Sequence, residues 1–187
     1  MTASRPVAHP QLETLARELD VATARARALA ARVSDAAFHQ RPDPPGWSAA
    51  ECLEHLTLSN RMMLPRIDQA IIESSQSERR TNRKYRRDLV GWFLSSLLEP
   101  PFKQKFKTAP PFIPTSAGTT EQLLAEFSET QARLVEQLNR AAGYDLHRVK
   151  VTSPFNNNVR YNVYSTFRVI TSHQRRHLYQ AEMALLR

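Results

Sequence analysis

Apolar residues recur at helical spacing along four stretches of this chain. From about Gln11 to Ala36, the residues Leu12, Leu15, Leu19, Ala22, Leu29 and Val33 stand among Glu, Arg and Asp, which predicts a first amphipathic helix. The Pro-rich segment from Arg41 to Gly46 ends that pattern and is read as a loop. Trp47, Ser48 and Glu51 then mark a second helix start, with Ser48 and Glu51 in capping-box spacing. Leu53, Leu56, Met63 and Ile67 carry that helix to about Glu73, and Pro65 is expected to bend it. A third helix follows Gly118 and Thr119, with Gln122 in capping position, Leu123, Phe127, Leu134, Leu138 and Ala141 on one side, and Gly143 as its stop. The stretch from Tyr144 to Asn158 lacks a helical period and reads as a crossing segment. From about Arg160 to Leu186 a fourth helix carries Phe167, Ile170, His173, His177, Ala181 and Leu185 at spacings of three or four.

The connection from Gln76 to Gly118 is too long to be structureless in a compact domain. Its apolar run from Leu89 to Leu98, with Trp92 and Phe93, predicts a short extra helix, followed by an extended Pro-rich arm. There are only four glycines, and the twelve prolines cluster between the periodic stretches, which favours long helices over many short strands. The expectation is an all-α helical bundle forming one domain over residues 1–187.

Charge changes this picture little. The net charge is +8, but nine basic and three acidic residues fall between Gln76 and Gly118, so most of the excess sits in one connection. The run from Arg79 to Arg87 has three readings: a solvated face, an attractor for an anionic substrate, or a nucleic-acid or membrane surface. Tyr85 is the one aromatic interleaved in it, thin support for base stacking. Trp92 and Phe93 fit either an interfacial helix or a hydrophobic lid over the bundle. No apolar stretch approaches the roughly 18 residues of a membrane span, and no signal peptide is evident, so a cytoplasmic protein is expected. The single cysteine, Cys52, excludes an intramolecular disulfide and a multi-cysteine zinc site.

The chemistry rests on three histidines. His173 and His177 lie four residues apart on the apolar side of the fourth helix, where Cβ atoms are about 6 Å apart and two imidazoles can reach one ion. His55, on the second helix, could be a third ligand. Three protein nitrogens leave a position open, as in catalytic rather than structural sites. An ion so held acidifies a coordinated water or stabilises a thiolate. The pair is not a zincin motif, since Gln174 stands where that motif needs a glutamate base. Glu51, one turn before His55, already serves as the capping residue. Gln180 shares a side with His177 but reads more simply as an exposed or capping residue, and Arg176 as a partner of a surface carboxylate. Cys52, three residues before His55, lacks an orienting acid and reads as inert packing.

The Trp47-Ser48 start leading to Glu51, the His55-Leu56 pair, and His173-Gln174-Arg175-Arg176-His177 followed by Gln180 resemble the DinB-like (DinB/YfiT) superfamily over most of the chain. The resemblance implies a four-helix bundle of up-down-down-up topology and a divalent metal, nickel or zinc, on His55, His173 and His177. It further implies a homodimer and a metal-dependent enzyme acting on a small molecule, by hydrolysis or by transfer using a low-molecular-weight thiol. No catalytic residue is assigned. The alternatives are a basic helical module that contacts nucleic acid without catalysis, and a bundle that keeps its ion for stability alone.

Overall fold

Pro10 opens the first helix in a computed structural model that describes residues 9–44, 46–77, 80–101, 107–115 and 118–186. Helix α1 (Pro10–Ala30) buries Leu12, Leu15, Leu19, Ala22, Ala26 and Leu29. It is shorter than the periodicity implied. The Ser34 hydroxyl accepts from the Ala37 N–H and caps a separate helix, α2 (Asp35–His39), because a serine oxygen competes with the backbone for the next N–H groups.

Helix α3 (Ala49–Gln76) begins with the expected capping box: Ser48 Oγ accepts from Glu51 N–H, and the Glu51 carboxylate accepts from Ser48 N–H at 2.8 Å. Pro65 does not end it. The ring sits on the exposed side, where a carbonyl deprived of its helical partner can turn to water. Helix α4 (Leu89–Leu98) occupies the long connection as expected, and a single 3-10 turn at Pro110–Phe112 follows. Helix α5 (Thr120–Ala141) has its own capping box from Thr119 and Gln122. Just beyond it Gly143, at φ 84°, takes the left-handed conformation that closes a helix. Helix α6 (Val163–Leu185) starts three residues later than the sequence pattern, because Arg160–Asn162 form a strand, β2, antiparallel to β1 (Lys150–Thr152). The crossing segment is thus partly a hairpin, with Val151 opposite Tyr161.

The architecture is all-α apart from that hairpin, and the four long helices pack in a ring, α1 against α5, α5 against α3, α3 against α6 and α6 against α1. Buried amides bind the ring together. Gln131 and Gln174 exchange hydrogen bonds at 2.7 and 3.1 Å, Gln131 also donates to the Leu19 carbonyl, and Asn60 donates to Thr130 at 3.0 Å. Gln174 therefore belongs to the core between helices.

Asp88 fastens α4 to this ring. Its carboxylate accepts from Gly91 N–H, Ser165 Oγ, Asn162 N–H and Lys150 Nζ, which joins the helix start to α6 and both strands. Burial would raise its pKa, but these bonds, led by that from Lys150, hold it below the usual value. At the other end Glu99 accepts from Arg175 and Ser172, while Arg175 also bonds Glu18 on α1 at 2.8 Å. Between these anchors Gly91 lies so close to α6 that a Cβ would sit 2.2 Å from Ser165 Cβ. Ser165 Cβ cannot retreat, because it is bonded directly to the α6 backbone and moves only with the helix. Gly91→Ala is therefore expected to lower stability by about 1–3 kcal/mol through overpacking. Urea unfolding checks this, and an unchanged midpoint would show that α4 shifts freely on α6.

Candidate metal centre

The three histidines converge. Their ring centroids are 5.1 Å apart for His55 and His173, 4.5 Å for His55 and His177, and 4.6 Å for His173 and His177. One nitrogen from each lies within 4.8 Å of the others. His55 comes from the second turn of α3, and the other two from successive turns of α6, which packs directly on α3. His55 and His177 are buried and His173 is half-buried.

Each ring has a defined surrounding. The Nδ1–H of His55 donates to the Phe112 carbonyl at 2.7 Å, which leaves Nε2 with a lone pair, 3.3 Å from His173 Nε2. A carbonyl partner on the far nitrogen is how ligating imidazoles are commonly oriented. Trp47 lies against His55 and stacks on His177, while Phe155 packs on Phe112 and against His173. The Pro-rich arm and the hairpin thus close the site, and the sequence had singled out neither Phe112 nor Phe155.

Burial pushes the pKa of His55 down, against the Phe112 bond, which pulls it up. His173 and His177 are pushed well below the usual value, first by burial and then by the charge that neighbouring imidazoles and Arg176 place beside them. All three rings are therefore neutral near pH 7, the form that ligates a metal. The Nδ1 of His177 is buried with no hydrogen-bond partner among the described residues. Three neutral nitrogens in mutual reach fit a cation that accepts imidazole, such as zinc or nickel.

A cavity of about 1030 Å³ opens beside the imidazoles, bounded by residues of α3, α4, α6, the Pro-rich arm and the hairpin. Leu94, Leu97 and Leu98 of α4 line it, whereas Trp92 and Phe93, which fitted either a lid or an interfacial helix, do not and are 53% and 58% exposed. Gln180, read from the sequence as exposed or capping, is half-buried mid-helix and lines the cavity. Arg176, expected at the surface, is buried and lines the cavity, and its neighbour Arg175 pairs with Glu18 and Glu99. The Glu51 carboxylate is taken up by Arg41 and the Ser48 backbone. Cys52 is fully buried and its thiol is pushed far up by desolvation, so it is inert as expected.

The basic connection offers less. Tyr85 is buried beneath it, with its hydroxyl accepting from Gly143 N–H, so that ring is not presented for stacking. Arg79, Lys103 and Lys105 lie outside the described residues. Among the described residues no helix is long and apolar enough to cross a membrane.

The family model of the DinB superfamily matches residues 18–181, a span that includes all three histidines. No curated protein and no solved structure matches the chain.

Because the folded-state pKa values of the three imidazoles lie below the unfolded value, stability is intact above about pH 6.5. Below that point the unfolded chain takes up protons that the folded chain refuses, and stability falls. Chelator-treated protein should accordingly lose thermal stability between pH 6.5 and 5, before the carboxylates titrate, and His177→Asn should flatten that slope. A melting temperature constant over this interval would show that the rings are not held neutral.

Proposed function

The chain belongs to the DinB superfamily, and on that premise we propose that His55, His173 and His177 hold one divalent metal ion, nickel or zinc, in an enzyme acting on a small molecule. The observation that carries this proposal is the convergence of three imidazole nitrogens within 4.8 Å beside a cavity. Three ligands leave the ion open to substrate, where it supplies a Lewis acid for hydrolysis or for transfer involving a low-molecular-weight thiol.

The chain's own residues perform the remaining tasks. The Phe112 carbonyl fixes the tautomer of His55, so that Nε2 faces the ion. Trp47, Phe112 and Phe155 shield the imidazoles from bulk water, which strengthens electrostatic interactions at the site. The cavity beside the open position admits a substrate of small-molecule size. No residue lining it is a carboxylate suited to act as general base among the described residues, which agrees with the absence of the zincin glutamate.

In this proposal residues 1–187 act as a single domain, folded as the up-down-down-up bundle that the family resemblance implies. A homodimer in the cytoplasm is the expected state of the enzyme.

Metal analysis of protein purified without chelator tests the proposal. About one ion per chain is expected, as is a drop in metal affinity of at least about 100-fold in His55→Ala and His177→Ala, since even an outer partner of a ligand is worth about 10–100-fold. Sub-stoichiometric metal that does not change in His177→Ala would rule the site out. An ion whose removal lowers the melting temperature, in a protein that turns over no substrate, would identify a structural role instead.

A further inference from the structure

Helix α4 carries apolar side chains on two sides. Leu94, Leu97 and Leu98 line the cavity, while Leu89, Trp92 and Phe93, at positions i, i+3 and i+4, form one exposed stripe, with Leu89 at 85% exposure. The stripe cannot roll inward. Asp88 and Glu99 hold the two ends of the helix to α6 and the hairpin, and Gly91 packs on Ser165 between them, so a turn of the helix would strand these donors and carboxylates. An apolar patch held open in this way marks an interaction surface.

The chain leading into α4 is basic. Arg83, Lys84 and Arg86 are exposed, and no ion pair engages them among the described residues. All three border one open hollow of about 720 Å³, which places them on one side of the molecule, and the carboxylate there, Asp145, pairs with Arg148. Arg86 precedes Leu89 by three residues, a span of at most about 11 Å, so the cations adjoin the stripe. Asp88, between them, is taken up by Lys150 and by the N–H groups of Gly91 and Asn162.

A partner for this face must meet a row of cations and an apolar stripe at once. An anionic bilayer does both, since its head groups attract Lys and Arg while its acyl boundary takes Leu, Trp and Phe. Trp suits that depth, because its ring is apolar and its N–H stays wet. Duplex nucleic acid would pair with the cations and leave the stripe in water. A second copy joined about a twofold axis through this face would bring two sets of like charges together. The ten residues of α4 make a helix only about 15 Å long, so it lies along a bilayer rather than across it.

We propose that α4 and the basic segment before it seat this protein on an anionic lipid bilayer, with Leu89, Trp92 and Phe93 entering the interface and Arg83, Lys84 and Arg86 facing the head groups. The metal site plays no part in this docking.

Co-flotation of the full-length protein with phosphatidylcholine vesicles, with and without about 30% phosphatidylserine, tests this. Binding should be at least about tenfold tighter to the anionic vesicles and should be lost at about 0.5 M NaCl, where charges are screened over a short range. Changing Arg83, Lys84 and Arg86 together to Gln should weaken it about 100-fold, at about fivefold per charge. Trp92→Ser with Phe93→Ser should weaken it at least about tenfold, and both variants should keep the wild-type melting temperature because the altered residues are exposed. In unaltered protein, brominated acyl chains should quench tryptophan emission, and Trp92→Phe, which keeps Trp47, should lose that quenching while staying bound. Equal binding to the two kinds of vesicle, or binding to neither, would overturn the proposal. So would bound protein whose emission is not quenched, or binding indifferent to the loss of Trp92 and Phe93. A concentration-dependent dimer that Trp92→Ser with Phe93→Ser dissociates, without vesicle binding, would give the face to a second copy. Salt-sensitive capture of a duplex DNA oligomer, without vesicle binding, would give it to nucleic acid. Zinc-loaded and chelator-treated protein should bind alike, so a failed metal site leaves the docking standing, whereas vesicle binding that needs zinc would overturn it.

Discussion

Amides buried between helices must find partners, and in this bundle Gln131 and Gln174 find each other while Asn60 reaches Thr130 beside them. Leucine ridges alone tolerate sliding, because one apolar contact replaces another at little cost. Paired amides do not, since a shifted helix would strand buried donors and acceptors. The network joins α1, α3, α5 and α6 through Leu19, Asn60, Gln131 and Gln174. Asn60 lies five residues beyond His55, and Gln174 is next to His173. The hydrogen bonds that set the register of the helices therefore also decide which turn of α6 meets His55.

Helix α6 divides its circumference among three environments. Gln174 faces the core, Ser172 and Arg175 reach outward to Glu99 and Glu18, and His173, Arg176 and His177 face the cavity. The carboxylates paired with Arg175 lie on the side away from the imidazoles. Burial pushes the Glu18 carboxyl up, but its bonds to Arg175 and neighbours hold it down, and Glu99 is lowered chiefly by Arg175. Negative charge is thus engaged in fastening α4 and α1.

Much of this was legible in the sequence. Ser48 and Glu51 announced the start of α3, the apolar spacing announced four long helices, and His173 with His177 announced one shared face. These signals are local, each set by neighbours within a turn or two. What escaped depends on partners distant in sequence. A main-chain carbonyl carries no residue signature, so the partner of His55 at Phe112 left no trace. Phe155 enters the site only because the hairpin folds back, and three-residue strands are too short to show an alternating pattern. Arg175 and Arg176 are identical letters, and only a rotation of about 100° on the helix separates a partner of carboxylates from a wall of the cavity. Ser34, by contrast, could have been read as the cap that divides α1 from α2.

The contact between His55 and His173 joins residues 118 positions apart, and the bond from His55 to Phe112 spans 57. Contacts of such separation are closed late, after local helices have formed, because loop closure must be completed first. A zinc finger folds around its ion; here the nitrogens assemble only when α3, the Pro-rich arm and α6 are already in place. In the proposed metal role the complete three-nitrogen site would therefore exist only in the folded chain, and a newly made polypeptide would offer its histidines one at a time.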